Sequence, residues 1–193
     1  MADLVLSIFT SLDGYFVKRG GVFAPPPWSE EVEREWSLAA MKRARHLLYG
    51  RVNFLFNKGF WEPAATDPTS VAAGIAYAGQ MNALPKTVVS TTLQGDPGWN
   101  ARLAGPDLAA EVAALKRDVA GGDIFAFGGG GLADSLIRRD LVDELWLMIT
   151  PHLLGDGERF FRDGRPEAAM ALIEARPLDV GSVILRYRRM RQA

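Results

Sequence analysis

Apolar positions in this chain alternate between short continuous runs and stripes at helical spacing. Leu4, Val5, Leu6, Ile8 and Phe9 make a nearly unbroken apolar run, the pattern of a strand covered on both faces. It stops at Asp13-Gly14, a turn signal. A loop follows, with Gly20-Gly21 and the stiff, extended Pro25-Pro26-Pro27. Ser29 is placed to cap a helix, and Glu30, Glu31 and Glu33 suit its positive N-terminus. Val32, Trp36, Ala39, Ala40 and Arg43 share one face of that helix. A short strand, Leu47-Leu48-Tyr49, breaks at Gly50 and gives way to a helical turn from Arg51. The stretch from Trp61 to Thr69 reads as loop, and Ser70 as the cap of an Ala-rich helix running to Ala83.

The second half repeats the alternation. Thr87-Val88-Val89-Ser90 reads as a strand and Asp96-Pro97-Gly98 as a turn. Leu108, Val112, Leu115 and Val119 stand at spacings of four, three and four, an amphipathic helix closed by Gly121-Gly122. Ile124-Phe125-Ala126-Phe127 is a buried strand running into Gly128-Gly129-Gly130-Gly131, and Leu132, Leu136 and Ile137 mark the next helix. Val142 to Thr150, Ala171-Leu172-Ile173 and Val183-Ile184-Leu185 are strands. Strand and helix alternate until strands dominate the end. This order predicts a three-layer α/β/α fold with a central, mostly parallel sheet and an antiparallel C-terminal edge. The 193 residues and 48% apolar content suit one domain over residues 1–193 with its own core.

Charge narrows the partners. A net charge of −1 gives no general attraction to nucleic acid or to anionic lipid. The basic tail Arg186, Arg188, Arg189 and Arg191 reads as a solvated strand face. The absence of cysteine excludes disulfides, thiolate catalysis and thiolate metal sites. His46 and His152 are too isolated to hold a metal. Met1-Ala2-Asp3 lacks the start of a signal peptide, and no apolar run is long enough to cross a bilayer. Together these point to a cytoplasmic protein without membrane or nucleic-acid partners.

Three segments carry candidate chemistry, and each follows a strand. Gly128 to Gly131 turns from strand into helix, where backbone N–H groups can face a phosphate, although simple tight packing explains such a turn equally. Gly50-Arg51-Val52-Asn53 opens a helix; Arg51 can pair with a phosphate through its planar fork, or be a surface arginine. Ser90-Thr91-Thr92 places hydroxyls at a strand end, serving a ligand or a turn. In a parallel sheet the three would converge on one polyphosphate ligand. Asp13 is the candidate catalytic carboxylate, with a turn role as its alternative. Of the five tryptophans, Trp61 is the best placed by sequence to line a pocket.

In this order the segments resemble the dihydrofolate-reductase-like superfamily, and more closely its riboflavin-biosynthesis reductase branch (RibD C-terminal domain-like). The matching pieces are Ser11-Leu12-Asp13-Gly14, Tyr49-Gly50-Arg51 with Asn53-Phe54, Val89-Ser90-Thr91-Thr92, Gly128 to Leu132, Leu141-Val142-Asp143-Glu144-Leu145 and Pro151 to Gly157. The resemblance implies NADPH as cofactor. Gly50 to Asn53 would meet its pyrophosphate, Ser90 to Thr92 its 2′-phosphate, and Gly128, Gly129, Gly130, Gly131 and Leu132 its pyrophosphate and nicotinamide half. It also implies a homodimer and a small heterocyclic or carbonyl substrate. The chain has Phe56-Asn57-Lys58-Gly59 where the riboflavin-pathway reductase has Asp-Asp-Pro. Glu31, Glu33 and Glu35 lie off the apolar helix face on which a dihydrofolate reductase presents its carboxylate. Neither familiar substrate follows from the resemblance, and a non-catalytic binding module on the same fold is the rival reading.

Overall fold

The structure is a computed structural model and describes residues 1–191. Eleven strands occur in chain order. They are β1 (Leu4–Ser11), β2 (Tyr15–Lys18), β3 (Val22–Phe23), β4 (Ala44–Gly50), β5 (Lys86–Val89), β6 (Ala101–Leu103), β7 (Asp123–Phe127), β8 (Glu144–Thr150), β9 (Glu158–Arg159), β10 (Met170–Pro177) and β11 (Val183–Arg189). Eight form the central sheet in the order β10-β11-β8-β1-β7-β4-β5-β6. From β8 to β6 every neighbour is parallel, whereas β11 and β10 return antiparallel and close one edge. A small sheet, β3-β2-β9, stands beside it.

Helices cover both faces, which is why β1 is apolar almost throughout. On one face Val5, Tyr49, Phe125 and Trp146 pack against Val32, Trp36 and Met41. These come from one continuous helix, α1 (Glu30–Val32), a π-helical stretch (Glu33–Leu38) and α2 (Ala39–Arg43). Ser29 caps it, its hydroxyl accepting from the Val32 N–H at 3.2 Å. Also on this side lie α3 (Arg51–Trp61) and α4 (Ala78–Ala83), which bury Phe54, Trp61 and Met81. The opposite face, with Leu4, Leu6, Ile8 and Leu48, is covered by α5 (Leu108–Asp118) and α6 (Gly130–Arg138).

Some local expectations need correction. The helical turn at Arg51 extends for 11 residues. The Ala-rich helix from Ser70 is broken into a 3₁₀ turn (Val71–Gly74) and α4, with Ile75 extended between them, and Ser70 makes no side-chain cap. This break brings Ala72, Ala78 and Met81 into the core and Ile75 against it, a tertiary gain that outweighs alanine's helix propensity. β6 has only three residues and no apolar pattern to announce it.

The basic C-terminal strand is not simply solvated. The Arg186 guanidinium stacks 3.9 Å over the Trp146 ring and donates to Glu174 at 2.6 Å. Arg188 donates to Asp3 and to the buried Glu144, which also accepts from Arg43 at 2.8 Å and from the Trp146 indole N–H at 3.0 Å. A carboxylate with so little solvent needs several donors, and the C-terminal arginines supply part of that set.

Two outcomes test this packing. Leu48 is fully buried between β4 and the α5–α6 layer, so Leu48→Ala should cost about 2–5 kcal/mol in chemical denaturation. His46 is buried against the Thr87 hydroxyl at 2.9 Å, and burial, aided by Arg102, lowers its pKa from 6.5 to about 4. Between those values the unfolded chain binds a proton that the folded chain refuses, so stability falls as pH drops through that window. His46→Gln should flatten the difference between urea midpoints measured at about pH 7 and pH 5.

Candidate functional site

Because β1, β4, β5 and β7 run in parallel, their C-terminal ends share one edge, and a cleft of about 1560 Å³ opens there. All twelve residues expected to contact a cofactor line it: Gly50, Arg51, Val52, Asn53, Ser90, Thr91, Thr92, Gly128, Gly129, Gly130, Gly131 and Leu132. The clustering follows from topology, since each segment leaves a neighbouring strand.

Two helices aim their N-termini into this cleft. Gly50 precedes α3 and Gly129 precedes α6, and neither start carries a side-chain cap, so their first N–H groups remain free for an anion. Gly128 and Gly129 have φ of 53° and 79°, a left-handed pair that only glycine adopts without strain. Gly128 N–H is tied to the Ser7 carbonyl at 2.9 Å, which fixes the turn against β1. A side chain at Gly130 would meet the Phe16 ring at 2.6 Å, whereas one at Gly131 would point into open space.

The three segments divide the work unequally. Arg51 is exposed and makes no salt bridge among the described residues, so its guanidinium is available to a ligand. Asn53 spends an amide proton on the Phe127 carbonyl, and Asn57 donates to the Asn53 carbonyl oxygens at 2.9 and 3.0 Å. Asn53 therefore braces α3 against the end of β7. The Ser90 hydroxyl oxygen accepts from the N–H groups of Thr92 and Leu93 at 3.2 and 2.9 Å, leaving its proton free to donate. Thr91 and Thr92 are exposed beside it.

Asp13 lies apart from this arrangement. It does not line the cleft; its carboxylate accepts from the Leu154 and Gly155 N–H groups at 3.1 and 2.7 Å and from the Ser11 hydroxyl at 2.5 Å. These contacts fit the turn role, and they place the carboxylate outside the cleft lining. Ser11 and the two backbone donors lower its pKa to about 2. Among the described residues no three His, Cys, Asp or Glu side chains are grouped to hold a metal, and no helix is long and apolar enough to cross a membrane.

Sequence reasoning missed much of the remaining lining. Trp61 does line the cleft, but so do Trp28, Trp36, Phe56, Phe60 and Tyr77. One signal was available: on α3, Phe54 is buried while Phe56 and Phe60 are exposed by 58% and 38%, two aromatics on the helix face opposite its core stripe.

A doubly covered, mostly parallel sheet with an antiparallel edge and glycine turns at its C-terminal edge fits the expected dihydrofolate-reductase-like fold. The RibD C-terminal domain model matches residues 2–184, and the chain belongs to that family. YyaP, an uncharacterised protein of Bacillus subtilis, is 26% identical over 192 residues, covering 95% of this chain and 93% of YyaP. Among solved structures, a Shewanella sp. PV-4 protein provisionally ascribed to riboflavin biosynthesis superposes with a TM-score of 0.75 at 24% identity, covering 99% of this chain and 100% of that one. A diaminohydroxyphosphoribosylaminopyrimidine deaminase/5-amino-6-(5-phosphoribosylamino)uracil reductase of Thermotoga maritima gives 0.66 at 14% identity, with 98% of this chain corresponding to 57% of that protein. At these identities the superpositions establish the shared fold.

The Asp13 contact has a measurable signature. A carboxylate held at about 2 keeps its two N–H partners down to that pH, and the loop contact is lost only as pH falls through it. The Gly155 amide shift should titrate with Asp13 near that value, and Asp13→Asn should remove the titration while leaving ligand binding in the cleft intact.

Proposed function

We propose that this protein is an NADPH-dependent reductase of a small heterocyclic or carbonyl substrate. The carrying observation is the convergence of Arg51 and two uncapped helix starts on one cleft, with the Ser90–Thr92 hydroxyls on its rim. The donors suit the cofactor: backbone N–H groups and a free guanidinium for the pyrophosphate, and hydroxyls for the 2′-phosphate. The open space at Gly131 leaves room for a backbone approach that a side chain would obstruct. When bound, the nicotinamide supplies the hydride.

The chain's own part is binding, orientation and exclusion of water. Gly128 to Leu132 and Asn53 hold the floor of the cleft rigid, because Asn53 ties α3 to β7 and Gly128 ties the turn to β1. Phe9, Trp36 and Tyr77 surround the place left for the acceptor. No imidazole lines the cleft, and its one carboxylate, Glu158, pairs with Arg162 at 3.3 Å. The proton would then come from a cleft hydroxyl, of which Ser37 and Tyr77 are the nearest to this half, or from an ordered water. A cytoplasmic protein and a homodimer belong to the same reading. For the dimer the candidate surface is the edge strand β10, where Leu172 and Ile173 are 57% and 50% exposed; light scattering at the mass of one chain would remove it.

Titration with NADPH and with NADH, followed by tryptophan quenching, is the direct test. Arg51→Ala should weaken NADPH by about 1–3 kcal/mol, roughly 5- to 150-fold in Kd. Gly131→Asp should leave folding intact, since an acid suits a helix start, yet weaken NADPH by at least about tenfold through like charge. No binding of either nucleotide sinks the reductase reading. Binding without turnover across carbonyl and heteroaromatic acceptors makes the protein a ligand-binding module instead.

A further inference from the structure

Charge is distributed very unevenly along the cleft. Among the described residues that line it, only Arg51 and Glu158 are charged. Arg51 stands at the start of α3, in the half assigned to phosphates. Glu158 sits in β9 and is paired with Arg162, whose guanidinium lies near Gly130 at the start of α6. The half enclosed by β1, the α1–α2 helix, α3 and the Ile75–Met81 segment therefore holds no charged side chain.

Aromatic surface fills that half. Phe9 and Trp36 pack at 5.4 Å between ring centroids and form its floor. Tyr77 stands at one wall. Phe23 and Phe56 meet across the mouth at 5.8 Å, joining β3 to α3, and remain 44% and 58% exposed; Trp28 beside them is 50% exposed. Large exposed aromatics lining a concavity leave apolar area in water that a flat apolar ligand would cover. The polar groups here are neutral. Ser37 offers a hydroxyl, and burial raises the Tyr77 pKa against the opposing effect of a Ser37 hydrogen bond, with Glu33 adding to the rise, so that the phenol stays protonated.

Of the acids of the first helix, Glu33 reaches this half only through its charge on the Tyr77 phenol. Glu31 accepts from the Asp179 N–H at 2.6 Å, Glu35 pairs with Arg34 at 2.9 Å, and none of Glu31, Glu33 and Glu35 lines the cleft. A cationic or amidine-like group would find no carboxylate lining this half, and a phosphate would find no cation lining it. Burying either charge unpaired would be costly.

We propose that the acceptor half of the cleft binds an uncharged, planar aromatic or heteroaromatic molecule that carries no phosphate. Calling this half the acceptor side rests on the reductase reading; its chemistry does not. The ring lies against Phe9 and Tyr77 above the buried Trp36, Phe23, Trp28 and Phe56 close over its outer edge, and the Ser37 and Tyr77 hydroxyls orient its polar atoms.

The test uses the full chain and a matched pair of probes, 2-naphthol and 2-naphthyl phosphate, titrated calorimetrically in the presence of saturating NADPH. 2-Naphthol should bind at least about tenfold more tightly than its phosphate ester. Phe56→Ala, a change at an exposed position, should weaken 2-naphthol several-fold and leave NADPH affinity unchanged. Equal or tighter binding of the phosphate ester, no binding of 2-naphthol, or indifference to Phe56→Ala would each overturn the proposal. If NADPH itself does not bind, the pair is titrated on Arg51→Ala, which lacks the cleft's cation. The same preference there upholds the neutral aromatic pocket while the cofactor reading fails.

Discussion

Because β8, β1, β7, β4, β5 and β6 are hydrogen-bonded in parallel, the C-terminal ends of these strands emerge at one edge of the sheet. Parallel pairing requires a crossover between neighbours, and the crossovers place helices on both faces. Helices that start just after a strand then direct their free N–H groups back over that edge. The glycine turn, the Arg51 helix start and the Ser90 hydroxyl are remote in sequence, yet they meet because they follow three neighbouring strands, β7, β4 and β5.

The opposite edge has a contrasting character. There Asp123 accepts from the Asp3 N–H at 3.0 Å and pairs with Arg43, and Asp143 accepts from the Leu4 N–H at 2.8 Å and pairs with Lys116 and Arg191. Glu144 gathers Arg43 and Arg188. Charge is concentrated where strands begin and binds them to the first helix and the C-terminal tail. Among the described residues the cleft lining itself carries two charged side chains, Arg51 and Glu158. Stability and ligand chemistry are thereby separated along the strand direction, so substitutions at the cleft can alter recognition with limited effect on the ion-paired base.

Much of the fold was legible because it rests on local signals. The continuous apolar run of β1, the four-three-four spacing of α5 and the Ser29 cap are each read from neighbouring residues, and the order of elements specifies a mostly parallel sheet. The Ala-rich stretch after Ser70 misled, since alanine favours helix whereas the core needed Ile75 extended against it. Arg186 and Arg188 misled for a similar reason: alternation along a strand predicts a wet face, but not that Trp146 and Glu144 lie across it.

For the site, sequence alone marked the three strand-end segments, because glycine turns and helix-opening residues are local features, and it placed them on one edge once a parallel sheet was inferred. What each of these residues touches was decided only by tertiary contact. Asn53 turned inward to the Phe127 carbonyl, and Asp13 was drawn to the Leu154–Gly155 backbone, distant in sequence from it. The aromatic half of the cleft was likewise decided by folding, since Phe9, Trp36, Phe56 and Tyr77 come from four separate elements and share no spacing. Local pattern reports which face of an element is apolar; what that face meets depends on the packing of the whole chain.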